Sequence, residues 1–204
     1  MFWKRFLNKK PKGYIRCLGL EEWWLSLTEE QREDCRCVFE YEVNGGKENV
    51  DIREIAATSM TRQGLLRIFA SGVMNLEFKL QLLDFAEREA VSASDIVELH
   101  YIYMTRWKLY KRLWSQNSSW FEHLETYLKK DISIHDDFYE GLKKEGWKAL
   151  PNYPAFKELA LLYERTGRYR EAIKNVEEAM AKNVKEETSF ERRLKRLTRL
   201  ETGG

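Results

Sequence analysis

Apolar positions recur at helical spacing along most of this chain. From Thr58 onward the pattern is nearly continuous. It predicts a helix over residues 60–72, with Leu65, Leu66, Ile68 and Phe69 apolar, and another over 76–90, carrying Leu76, Leu80, Leu83 and Ala86. Ser94 or Asp95 is placed to cap a long helix ending at about Trp114. Ser118 or Ser119 opens the next, with Phe121, Leu124 and Leu128 on its face. Asp136 begins a short helix that stops near Gly146. Pro154 suits the first turn of a helix holding Phe156 and Leu159, which Gly167 breaks. Residues 169–181 form its partner, and 187–200 the last helix. Upstream, Thr28 and Gln31 have capping-box spacing ahead of Cys35, Val38 and Phe39. Phe39, Tyr41 and Val43 alternate before Asn44-Gly45-Gly46, as a hairpin strand would, but helix is the preferred reading. Asn44 to Val50 reads as a loop. It separates an N-terminal segment, 1–50, from a helical domain, 51–204. No sheet is required, so the fold class is all-α.

The stretch Phe156 to Met180 raises the question of stacking. Ala160 and Ala172 are spaced so that two helices can cross closely there. Leu159, Tyr163, Tyr169 and Ile173 fill the seam. Val176 and Ala179 face whatever comes next. A lone hairpin leaves half of this apolar surface in water, and stacking removes it.

These positions resemble a tetratricopeptide repeat (TPR). Phe156, Leu159, Ala160, Tyr163, Gly167, Tyr169, Ala172 and Ala179 stand where that family places its bulky, small, turn and aromatic residues. Val184 stands near the family's closing proline. The matched unit spans about 153–184, and upstream hairpins are degenerate versions. Phe190, Leu194 and Leu197 on the final helix resemble the polar-faced helix that closes such arrays. The resemblance implies a short right-handed α-solenoid with a C-terminal capping helix and a less regular N-terminal segment. It also implies a groove for a protein or peptide partner. On the matched unit, Lys157, Leu161, Glu164 and Arg165 point outward. Family members that clamp a terminal carboxylate place lysine and then, four residues later, asparagine there; Lys157 fits and Leu161 does not.

Tyr103, Trp107, Tyr110 and Trp114 form an aromatic stripe at i, i+4, i+7 and i+11. Aromatic anchors are common in binding hot spots, and Trp107 is placed with the groove on that ground. The plainer reading is core packing. An aromatic-lined groove would also suit a small ligand or signalling peptide, which makes a sensor the second functional reading.

Charge changes the picture little. Charged residues make up 33% and hydrophobic ones 43%, with a net charge of +2. That balance is globular and gives no overall drive toward nucleic acid. Arg192, Arg193, Lys195, Arg196 and Arg199 read as the solvated face of a helix, offset by Glu186, Glu187 and Glu191. The start carries Phe2, Trp3, Phe6 and Leu7 among basic residues. It fits a membrane surface weakly, and a packed terminus is the plainer reading. One of Trp23 and Trp24 is expected to dock on the helical core.

Catalytic motifs are lacking. His100, His123 and His135 form no metal-ligating pair, and Gly45-Gly46-Lys47 lacks the rest of a P-loop. Three cysteines, Cys17, Cys35 and Cys37, fit a reducing cytoplasm. No cofactor, metal or catalytic chemistry is expected.

Overall fold

The computed structural model describes residues 10–184 and 189–203. The basic aromatic start up to residue 9, Glu186 and Glu187 lie outside them. Among the described residues the fold is all-helical, with no strand. The chain divides into two compact units, one ending at Glu98 and one beginning at Leu99.

The first unit holds α1 (Gly13–Cys17), α2 (Glu21–Ser26), α3 (Glu29–Val43), α4 (Glu48–Asp51), α5 (Arg62–Gly72) and α6 (Leu76–Ser92). The capping box at Thr28 is complete, with both reciprocal hydrogen bonds to Gln31. Phe39 is buried within α3, so residues 39–43 continue the helix and start no hairpin. Segment 44–50 is not all loop. Its end coils into α4, because Val50 is fully buried and anchors a turn that packs on α1. The Lys12 N–H also donates to the Asp51 carbonyl at 2.9 Å. Helix α3 packs on α5, and α5 on α6, so the N-terminal helices belong to the same body. Trp24 is the docked member of its pair. It is buried, and its indole N–H donates to Asp51, which Arg36 also holds through two hydrogen bonds. Lys47 reaches Glu33 and Cys37 at 2.9 and 3.0 Å.

The second unit takes α7 (Ile96–Trp114) from Leu99 on, a 3-10 turn (Ser118–Trp120), α8 (Phe121–Ser133), α9 (His135–Lys144), α10 (Ala155–Arg165), α11 (Tyr169–Ala181) and α12 (Phe190–Thr202). Helix α8 packs on α10, α10 on α11, and α11 on α12. The α10–α11 crossing is built on Ala160 and Ala172, both fully buried. No side chain larger than a methyl is needed at these two points, which lets the helices approach. Gly167 turns the chain at φ +73, a conformation that costs other L-residues. Its N–H and that of Arg168 close α10 onto Glu164 and Tyr163. Buried Asn175 donates to the Phe156 carbonyl at 2.7 Å, joining α11 to the first turn of α10. Val176, Ala179, Phe190 and Leu197 are buried where α11 meets α12.

Candidate functional site

One side of α10 carries Lys157, Glu158, Leu161, Glu164 and Arg165, a single stripe at helical spacing. Leu161 is half-buried at its centre, and Arg165 is exposed. The two acids are tied to neighbouring helices. Glu158 pairs with Lys111 of α7 at 2.6 Å. Glu164 pairs with Arg196 of α12 at 2.6 Å and faces Arg193 at 3.9 Å. The helical spacing that marks Glu164 carries no sign of either bridge. Side chains of α10 thereby bridge to α7 and to α12.

The opposite flank of α10 is anchored on α8. Glu125 accepts from the Tyr163 hydroxyl at 2.8 Å, from Arg168 at 2.7 Å and from Lys129 at 2.5 Å. The Arg168 guanidinium also covers the Tyr163 ring, 4.4 Å from its centre. Burial by itself would raise the Glu125 carboxyl. The hydrogen bonds from Arg168, Lys129 and Tyr163 together outweigh it and hold the group at about 2. Tyr163 therefore does more than fill the seam, since it fixes α10 to α8 by its hydroxyl.

The interior between α7, α8 and the α9–α10 segment is polar at its heart. Asp131 is fully buried. Its carboxylate accepts from His100 Nδ1 at 2.6 Å, Trp107 Nε1 at 2.8 Å and the Tyr153 hydroxyl at 2.8 Å. Burial pushes the Tyr153 phenol well above its usual range, and the Asp131 charge adds to the effect. His135 lies nearby among the rings of Tyr139, Tyr153 and Phe156. Its Nδ1 bonds Asp136 at 2.7 Å, while Nε2 is buried without a partner.

Histidine, aspartate and tyrosine are the residue types of acid–base chemistry. His100, Asp131 and Tyr153 are sealed from solvent, and the His100 Nδ1, Trp107 and Tyr153 donors all go to the Asp131 carboxylate. The arrangement satisfies a buried charge and holds α7 on α8. Trp107 belongs to it. The sequence placed this residue in the groove, but only 3% of it is exposed, so it offers no surface to a partner. Its indole must reach Asp131, and that draws the ring inward.

Of the residues picked for the repeat, Phe156, Leu159, Ala160, Tyr163, Ala172 and Ala179 are buried, and Tyr169 is half-buried. The basic run on α12 divides by side. Arg193 is buried and turns with Arg196 toward Glu164, whereas Arg192, Lys195 and Arg199 stay exposed. Cys17 and Cys37 are exposed thiols; burial raises the Cys35 thiol and makes it a poor nucleophile. Among the described residues no three histidine, cysteine or acidic side chains converge to hold a metal. None of the helices searched is long and apolar enough to cross a membrane.

Comparison with protein-family models, with curated proteins and with solved structures finds no match to this chain.

Proposed function

We propose that the second unit is a protein- or peptide-binding module, a short right-handed α-solenoid of TPR-like hairpins. Helices α7–α8 and α10–α11 are its two hairpins, α9 is an insertion, and α12 is the closing cap. In such an array the first helix of each hairpin lines one face. The observation that carries this reading is the pair of bridges Lys111–Glu158 and Glu164–Arg196. They tie α10 to α7 and to α12, the first-helix positions of the array. Lys157, Leu161, Glu164 and Arg165 then form the middle of the binding face. Recognition rests on shape and side-chain complementarity, without catalysis. A small-ligand sensor has less support, because the Trp107 indole it would use is already committed to Asp131.

Selection from a displayed library of random extended peptides tests the proposal. Clones selected on the wild-type chain should lose binding to a Lys157→Glu, Leu161→Asp variant of unchanged stability. Clones that bind both proteins equally would place recognition elsewhere.

A further inference from the structure

Three helices of the second unit end in the same way. The last residues of α9, α10 and α11 are closed by paired backbone bonds, with Gly146, Gly167 and Asn183 at positive φ. The residue that follows usually folds back over the helix end. After α11 it is Val184, which is buried. After α10 it is Arg168, which lies over the Tyr163 ring at 4.4 Å. After α9 it is Trp147. The Trp147 N–H donates to the Leu142 carbonyl at 3.0 Å, so its backbone is as fixed as the others. Leu142 is fully buried, yet Trp147 remains 52% exposed. An indole on a firmly capped turn is therefore held out in water.

Its neighbours make the position more unusual. Leu150 is 42% exposed three residues later. Lys143, Lys144 and Lys148 are exposed in the same stretch, with Glu145 the one acid among residues 143–150. None of the three lysines forms an ion pair with a described residue. Two cations at the end of α9 suit the helix dipole. That accounts for Lys143 and Lys144. It does not account for Lys148, or for apolar side chains left in solvent beside them.

We propose that residues 143–150 dock on an anionic phospholipid surface. Indole rings settle at headgroup depth, and leucine adds apolar contact below them. Lysines next to an anionic leaflet gain from its surface potential. The segment supplies both elements on one capped turn. It is separate from the α7–α10–α12 face and does not depend on a peptide binding there.

Vesicle co-sedimentation of the full chain tests the proposal, with phosphatidylcholine alone and with phosphatidylserine added. The wild-type chain should bind the mixed vesicles, and less so as salt rises. Lys143→Gln, Lys144→Gln, Lys148→Gln together should lower partitioning roughly a hundredfold, about fivefold per lysine. Trp147→Ala, Leu150→Ala should also release the chain, with thermal unfolding unchanged because these side chains are exposed. A third variant, Phe2→Ala, Trp3→Ala, Phe6→Ala, controls for the basic aromatic start. The proposal fails if the wild-type chain binds neither vesicle. It also fails if both loop variants bind like wild type, whether or not the third variant is released. Capture of the chain by polyglutamate but not by vesicles would identify an acidic protein as the partner and overturn it as well.

Discussion

Tyr163 on α10 donates its hydroxyl hydrogen to Glu125 on α8 at 2.8 Å, under the guanidinium of Arg168. Two of the three donors on this carboxylate, Tyr163 and Arg168, join α8 to α10 and the turn after it, while Lys129 lies on α8 itself.

That junction is acid-sensitive. The carboxyl of Glu125 is held at about 2, below the ordinary 4.5. A depressed folded-state value means the contribution is complete above about pH 4.5 and is lost as pH falls toward 2. Partial solvation of Arg168 and Lys129 limits it to about 2 kcal/mol. Glu125→Gln should lower stability by a similar amount at pH 7 and by little near pH 2. Urea melts of both proteins across that range check the convergence.

Asp131 should be the costlier residue to alter. Asp131→Ala leaves three buried donors, on His100, Trp107 and Tyr153, without an acceptor. The expected loss is about 3–5 kcal/mol. Asp131→Asn keeps some acceptors and should cost less. Chemical denaturation measures both.

The helix crossing leaves no room for a larger side chain. Ala172→Leu should overpack it against α10 and cost roughly 1–3 kcal/mol. An unchanged denaturation midpoint would count against so close a crossing.

Helix α12 covers the far side of α11. Ending the chain after Asn183 should uncover Val176 and Ala179, which are fully buried in the intact fold. The truncated protein should aggregate, since helical stacks need a polar end. Light scattering would register this, and a monomeric truncation of equal stability would argue against a capping role.

Much of the second unit was legible because its signals are local. Gly167 marks a single turn, Ala160 and Ala172 belong to the two helices of one short hairpin, and Phe190 and Leu197 share one helix. Asp131 was not read, although a sign was present. It lies three residues after Leu128 on the apolar face of α8, where an acid must find buried partners. Those partners sit on other elements, at His100, Trp107 and Tyr153, and periodicity carries no information about them. The same limit hid the bridges at Glu158 and Glu164. Turn α4 was missed because four residues are too few to show a period. Its packing on α1 and α3 holds Val50 in place.

We propose that α7, α10 and α12 form one peptide-binding face. Amide chemical-shift mapping of a display-selected peptide on the labelled full chain tests it most directly. Shifts should gather on Lys111, Lys157, Leu161, Glu164 and Arg196, and Lys157→Glu with Leu161→Asp should abolish them. Shifts gathered away from these helices, or unaffected by the double substitution, would contradict it.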